Sequence, residues 1–342
     1  MGVESSCDET AISIVERGEQ NWVINEQIKS QIPLHSKYGG IVPEIASRNH
    51  YEVIDHLTSK VLEKSNLNIN DIDLLSLTQG PGLIGSLLVG LCFAKGLSFS
   101  RGIPIVPVDH VSAHIESVFI DNQDIQYPLI ALVVSGGHTS IFYQASKFET
   151  EVVSKTRDDA VGEVLDKIAK FYDFGYPGGP VLDRICNQGN KERFSFTFPK
   201  MSDGSNDFSF SGYKTAVLKY SREFKIRANT QIFYDLISSF LHSVIDYLLK
   251  KTRSAVKNFN IKSVIVAGGV SRNSLLREKF TKEFEKSNIT LYLPSSQYCT
   301  DNASMIAWLG YEKYLKFPNL DLFDFSLNSY SRALFKHKKK IK

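Results

Sequence analysis

The 342 residues, 42% hydrophobic and 23% charged, describe a soluble globular chain with enough apolar mass for two cores. A net charge of +3 is too small to mark a protein that grips nucleic acid by bulk charge, so a polyanion must be met by local patches or by partner proteins. Cys7, Cys92, Cys186 and Cys299 are scattered with no Cys-x-x-Cys pair, which argues against a zinc knuckle or disulfide framework and points to a reducing compartment, the cytoplasm.

In chain order, a polar turn over residues 2–10 precedes Ala11-Ile12-Ser13-Ile14-Val15, an alternating strand, so the chain is expected to open with a hairpin. Pro43 stands near the first position of a helix with the stripe Ile54, Leu57, Val61, while Arg48 and His50 lie off that stripe, where a solvated face is the ordinary fate. Residues 74–77 lead into Thr78-Gln79-Gly80-Pro81-Gly82 and a helix. The most apolar window, 83–97, is broken by glycines and a lysine and is too short to span a bilayer, and no charged-then-apolar signal opens the chain, so neither insertion nor export is expected.

Residues 103–108 read as a strand and Asp109 as the N-cap of a helix with the stripe Val111, Ile115, Val118, Phe119. His110 and His114, four residues apart, lie one above the other on that helix. The positive end of the helix dipole disfavours imidazolium, so both rings are expected to be neutral and able to ligate a divalent metal. Two polar residues on a half-buried helix would give the same pattern. Val111 and Ser112 occupy the interval in which a His-Glu-x-x-His metalloprotease carries its glutamate base, and neither takes a proton from water, so proteolysis is rejected.

The opening grammar returns at Ala131-Leu132-Val133-Val134, the turn Ser135-Gly136-Gly137-His138-Thr139, and Ser140-Ile141-Phe142-Tyr143, a second hairpin. Residues 263–266 lead through Ala267-Gly268-Gly269-Val270-Ser271-Arg272-Asn273 into a helix, as residues 74–77 do, so the chain reads as two related halves. Glycine turns let successive backbone N–H groups converge on an anion, and three of them favour a nucleotide over ligand-free turns. Residues 158–171 form an amphipathic helix with core face Val161, Val164, Leu165, Ile168; its other face carries Asp159, Gly162, Glu163, Asp166 and Lys170, either a solvated acidic face or groups for ribose hydroxyls, with Gly162 permitting close approach.

Tyr176-Pro177-Gly178-Gly179-Pro180 is a turn cluster. In residues 194–212 the alternating Phe residues read either as a strand edge on a core or as a base-stacking surface. Residues 236–249 are a buried helix. Asp301, in Cys299-Thr300-Asp301-Asn302, looks like an N-cap that could also complete a two-His-one-carboxylate site if the fold brings it beside residue 110. Residues 336–342 are a basic tail expected to stay solvated. An ATP-dependent sugar kinase or ATPase would share the glycine turns, but has no need of His110-x-x-x-His114.

Glu4-Ser5-Ser6-Cys7-Asp8-Glu9-Thr10-Ala11, Gly39-Gly40-Ile41-Val42-Pro43-Glu44, the residue 78–82 turn, His110-x-x-x-His114, the residue 134–139 turn, the residue 176–180 cluster, Phe208-Ser209-Phe210-Ser211-Gly212 and residues 299–302 together resemble the bacterial and mitochondrial TsaD family, the tRNA N6-adenosine threonylcarbamoyltransferases. The resemblance runs to about residue 317 and implies an α/β, two-lobed actin-like, sugar-kinase and heat-shock ATPase fold with duplicated ribonuclease-H-like cores. By the resemblance, lobe one is residues 1–120 completed by a helix over 310–335, and lobe two is residues 121–309. It implies transfer of threonylcarbamoyl from threonylcarbamoyl-adenylate to N6 of adenosine 37 in tRNAs reading codons that begin with A, with AMP released. His110, His114 and Asp301 would ligate one divalent metal, iron usually, with zinc the alternative. Val134, Ser135, Gly136, Gly137, His138, Asp166, Gly179, Asp183 and Asn273 would contact the adenylate, and TsaB-like and TsaE-like proteins, with a TsaC-like synthase upstream, would be the partners.

Overall fold

The structure, a computed structural model, describes residues 1–16, 23–333 and 335–338, and its contacts divide the chain into two compact units, Met1–Gln123 with Thr300–Leu334 and Asp124–Cys299 with Phe335–Lys342. The first unit runs β1 (Gly2–Glu4), β2 (Glu9–Val15), β3 (Val23–Ser30), α1 (Ile32–His35), α2 (Pro43–Lys64), β4 (Leu75–Gly80), α3 (Ile84–Arg101), β5 (Ile105–Asp109) and α4 (His110–Asp121). Its sheet order is β3-β2-β1-β4-β5: β1 to β3 are an antiparallel meander, and β4 and β5 join in parallel.

The alternation in β2 sorts its two faces. Ile12 and Ile14 join Val3, Leu75 and Leu77 against Ile54, Leu57 and Val61 of α2 and Leu91 and Ala94 of α3, and burying each large aliphatic side chain contributes roughly 1.5–3 kcal/mol. Ala11 and Ser13 point to the opposite face and are buried too, so the sheet is covered on both sides.

The second unit runs β6 (Leu129–Val134), β7 (Thr139–Ser146), β8 (Glu149–Lys155), α5 (Val161–Phe171), α6 (Gly179–Cys186), α7 (Ser211–Glu223), α8 (Gln231–Phe259), β9 (Ser263–Ala267), α9 (Ser274–Glu285) and β10 (Thr290–Tyr292). Its sheet, β10-β9-β6-β7-β8, repeats the first: an antiparallel meander with two parallel strands added on its first strand. This is the duplicated ribonuclease-H-like arrangement. Helix α8 supplies Leu236, Ile237, Phe240, Leu241, Val244 and Leu248 to the core. It extends well beyond the 236–249 stretch legible in sequence, because Lys250, Lys251 and Arg253 mask a stripe that continues through Thr252, Ala255, Val256 and Phe259. Phe208 and Phe210 are fully buried in this core, with Phe208 bridging to Thr156, so these two rings pack rather than stack on bases.

The chain then returns to the first unit with α10 (Ala303–Lys316), which lies on β1, β2, β4, β5 and α4. Ser13 Oγ meets Ser304 Oγ at 2.8 Å across this contact, and Gly310 lets the helix approach so closely that a Cβ there would collide with the Ser76 hydroxyl. The helix expected over 310–335 therefore lies earlier. Pro318 follows its end, as proline's missing N–H and ring sterics require, and among the described residues no helix or strand comes after Lys316. The units divide after Gln123 and Cys299 rather than after 120 and 309.

The basic tail is also corrected in part. Val152 N donates to Lys336 O, Lys338 N donates to Val152 O, and Lys338 Nζ reaches Glu151 at 2.6 Å, so the backbone of residues 336–338 lies along β8 while Lys336 and His337 stay exposed to solvent as expected. Residues 339–342 fall outside the described residues. By length and composition α3 and α8 could each cross a bilayer; α8, however, is the buried core helix of its unit, and α3 turns Leu87, Leu91 and Ala94 onto its sheet.

Candidate functional site

In the first unit the sheet delivers β5 directly into α4. Asp109 ends the strand and caps the helix, its carboxylate accepting from Ser112 N at 2.8 Å and from the Tyr330 hydroxyl at 2.7 Å. With both carboxylate oxygens engaged, Asp109 is a cap that fixes the first helical turn, where His110 sits. Asp109→Ala should lower the stability of the purified protein to urea by about 1 kcal/mol, up to about 2 kcal/mol, read as a shifted midpoint at unchanged slope.

His110 and His114 both turn Nε2 toward Asp301, whose Oδ1 lies 3.5 Å from the first and 3.1 Å from the second. The ligand atoms of the three residues lie within 4.8 Å of one another. Two imidazole nitrogens and one carboxylate suit a transition metal such as iron or zinc, so the cluster can hold a metal ion. Asp301 is not the N-cap the sequence suggests: Asn302 caps α10, accepting from Met305 N at 2.9 Å, and Glu26 of β3 takes the Ala303 and Ser304 N–H groups at 2.7 and 2.9 Å. Asp301 stands one residue ahead of that cap, leaving its carboxylate free to turn toward the histidines.

The expectation that both rings are neutral fails for His110 in the metal-free protein. Burial works against its charge, but the carboxylates of Glu4 and Asp301 outweigh burial and push its pKa well above the ordinary value. Asp301 is held well below the carboxylate range: burial opposes its charge, and the two imidazoles overcome that. Glu4, fully buried, is not singled out by any local sequence pattern. It accepts from Ser6 N and the Thr78 hydroxyl, both at 2.6 Å, and lies 3.0 Å from His110 Nδ1. By contrast, His114 Nδ1 is buried with no hydrogen-bond partner among the described residues.

His50 is also corrected. Its ring is fully buried, 2.7 Å from Thr10 Oγ1 and 3.0 Å from Cys7 O, and so fastens the turn between β1 and β2, while Arg48 is exposed and pairs with Glu52. Burial lowers the His50 pKa, as expected for a neutral ring tying backbone to hydroxyl. Asp8, Glu9 and Asp301 form a second group of carboxylates within 4.8 Å.

In the second unit the other singled-out residues gather around the β6–β7 turn. Ser135 N donates to His138 O at 2.8 Å and His138 N to Ser135 Oγ at 3.1 Å, which folds Ser135, Gly136, Gly137 and His138 into a tight loop at the end of Val134. Gly268, at φ +90°, passes so close to Val134 that a Cβ would lie 2.5 Å from its carbonyl oxygen. Gly162 at the start of α5 does the same to Ser135 O at 2.6 Å. Asp166 on α5 accepts from Gly178 N at 2.7 Å, setting the entry to Gly179 and α6. Asp183 on α6 takes Ser274 N and Oγ at 2.8 and 2.9 Å, beside Asn273, which caps α9 through Leu276 N. The carboxylates of Asp166 and Asp183 thus tie the starts of α6 and α9 to neighbouring elements, and among the N–H groups named here those of Gly178, Ser274 and Leu276 are taken by them and by the Asn273 cap.

Comparison with known proteins agrees with both the motifs and the fold. Residues 22–308 match the family described as TsaD, tRNA N6-adenosine threonylcarbamoyltransferase. Proteins bearing that name from Clostridium botulinum and Thermodesulfovibrio yellowstonii are each 44% identical, over 92% of this chain and 92% of the first protein, and over 94% and 96% for the second. Among solved structures, HypF of T. kodakarensis is similar with a TM-score of 0.61 at 14% identity, covering 95% of this chain and 49% of that one. Component A of the Acidaminococcus fermentans (R)-2-hydroxyglutaryl-CoA dehydratase gives 0.53 at 13% identity, covering 92% and 98%. At such identities these two likenesses speak for the fold alone, an actin-like one.

Proposed function

This chain belongs to the TsaD family of tRNA N6-adenosine threonylcarbamoyltransferases and is an acyltransferase that modifies adenosine in tRNA; we propose that His110, His114 and Asp301 form its metal centre and that the residue 134–138 loop with Asp166, Gly179, Asp183 and Asn273 receives the adenylate. The observation that carries the first assignment is the convergence of both Nε2 atoms on the Asp301 carboxylate. Iron is the ion we assign, with zinc the alternative.

The reaction needs an activated donor, because the lone pair on N6 is delocalised into the purine and attacks weakly. Threonylcarbamoyl-adenylate, a mixed anhydride, is that donor, and adenosine 37 of tRNAs reading codons that begin with A is the acceptor. His110, His114 and Asp301 would hold a divalent ion, which when bound would supply Lewis-acid stabilisation of the charge that grows on phosphate or carbamoyl oxygen as AMP leaves. The chain's part is positional: Ser135, Gly136, Gly137 and His138 offer a loop to the phosphate end, and Asp183 and Asn273 fix the start of α9 by taking the Ser274 and Leu276 N–H groups.

Small net charge favours help with tRNA, so TsaB-like and TsaE-like proteins are the partners we assign, with a TsaC-like synthase making the adenylate, in the cytoplasm. Incubating unmodified tRNA with the chain, these partners, threonine, bicarbonate and ATP should yield threonylcarbamoyladenosine on nucleoside analysis, and little of it when the partners are left out. Full multiple turnover by the chain with adenylate alone would instead identify a self-sufficient enzyme. Metal analysis separates the kinase reading: dependence on magnesium alone, with no transition metal bound, would favour phosphoryl transfer.

A further inference from the structure

We propose that Glu4 is a positioning residue for the metal centre: its buried carboxylate accepts from His110 Nδ1, holds the ring, and so leaves Nε2, beside Asp301, as the nitrogen that a metal would take. The inference rests on the metal-centre reading above and adds to it a residue that acts through a ligand.

The geometry is specific. Glu4 is the last residue of β1, between β2 and β4, so its side chain is set by the middle of a sheet and not by a loop. Every hydrogen bond that Glu4 makes there has a direction. Ser6 N donates to Oε1, and the Thr78 hydroxyl donates to Oε2. That leaves Oε2 facing His110 Nδ1 at 3.0 Å, and a carboxylate can only accept there, so the ring nitrogen must carry the proton. Ser6 Oγ also lies near the same nitrogen, at the longer distance of 3.3 Å, and a hydroxyl could serve either tautomer. The decision between tautomers therefore belongs to Glu4.

The consequence follows from the chemistry of imidazole. When a metal displaces the Nε2 proton, the Nδ1 proton stays on its carboxylate partner, which makes Nε2 a more basic ligand and keeps the ring in line. His114 has no equivalent, since its Nδ1 meets no partner among the described residues. Among the described residues, only His110 of the pair is oriented by a carboxylate on its far nitrogen. A buried carboxylate is costly, and replacing an ion pair by apolar residues is often neutral for stability, so stability alone is a weak reason for a glutamate at this place.

The test uses the full chain stripped of metal with chelator and titrated with Zn2+ and, separately, Co2+. Outer-shell partners of metal-bound histidines contribute about 10–100-fold in affinity, so Glu4→Gln should weaken Zn2+ binding by that factor and alter the visible spectrum of the Co2+ form. A merely structural role would lower thermal stability and leave that spectrum unchanged. Folded Glu4→Gln with Zn2+ affinity within twofold of the parent and the same Co2+ spectrum overturns the proposal. Should Glu4→Gln not fold, the parent protein decides: two-bond 1H–15N correlation of the Zn2+ form must show His110 protonated at Nδ1, and protonation at Nε2 overturns it. If the parent itself takes up neither ion, the metal-centre reading falls and this inference with it, an outcome distinct from a metal-binding parent and an equally competent variant.

Discussion

Asp301→Ala is expected to strip the protein of transition metal and to slow threonylcarbamoyl transfer by at least about 100-fold, the scale on which a single preorganised charge-stabilising group is missed. The two histidines come from one helix and can supply only two ligands, while a catalytic site ordinarily takes a third protein ligand and keeps positions open. Asp301 is brought to them from the far end of the chain, 187 residues beyond His114, because α10 lies against α4 and β1. Asp109 cannot take its place, since its carboxylate is spent on Ser112 N and the Tyr330 hydroxyl. Asp301→Asn, which keeps the volume, should lose metal with a smaller change in thermal stability. X-ray absorption on the loaded parent should find two imidazole nitrogens and a carboxylate oxygen at about 2.0–2.2 Å. Stoichiometric metal and unchanged turnover in folded Asp301→Ala would remove Asp301 from the site.

How much of this was legible in sequence depended on whether the signal was local. The strand over Ala11–Val15, the α4 start at Asp109 and the β6–β7 turn carry their periodicity and turn chemistry within a few residues and stand where expected, whereas residues 2–4, read as part of a polar turn, form β1, and β2 already begins at Glu9. His110 and His114 were legible for the same reason, as an i, i+4 pair. Glu4 was not. A glutamate in a short polar run looks like a turn residue, and only the pairing of β1 between β2 and β4 reveals that it is buried beneath His110. His50 was misread because an off-stripe position on α2 is buried by the β1–β2 turn, which no helical period anticipates. Asp301 does lie beside His110 and His114, but it is not the N-cap that its local sequence suggests. Asn302 is one residue later and equally suited to cap, and the choice between two adjacent capping residues is made by where α10 docks. The neutral His110 expected from the helix dipole failed for a tertiary reason too, two carboxylates at close range outweighing burial.

Gly162→Ala tests the adenylate loop proposed for the second unit, and here local preference and packing pull in opposite directions. Alanine is the better helix former by about 0.8–1 kcal/mol, so at the start of α5 the substitution should stabilise if the helix alone mattered. A Cβ at this position, however, would lie 2.6 Å from Ser135 O and 2.9 Å from both N and Cα of Gly136. Those are backbone atoms of the loop itself and cannot rotate away as a side-chain end would. Either α5 retreats, disturbing Val161, Val164 and Leu165 in the core, or the Ser135–Gly136 segment is displaced. The second is the easier movement, because the loop is held by few bonds while α5 is anchored by a row of apolar contacts. Displacing reacting groups by about 1 Å can cost on the order of 100-fold in rate. We therefore expect calorimetric affinity for AMP to fall at least about tenfold and transfer by about 100-fold, with thermal stability lowered only slightly and faster amide exchange confined to residues 135–138. Gly212→Ala, where a Cβ meets nothing within 4 Å, is the matched control and should leave affinity and rate unchanged. Unaltered AMP affinity in Gly162→Ala would mean that the 134–138 loop does not hold the nucleotide, whatever the fate of the metal centre.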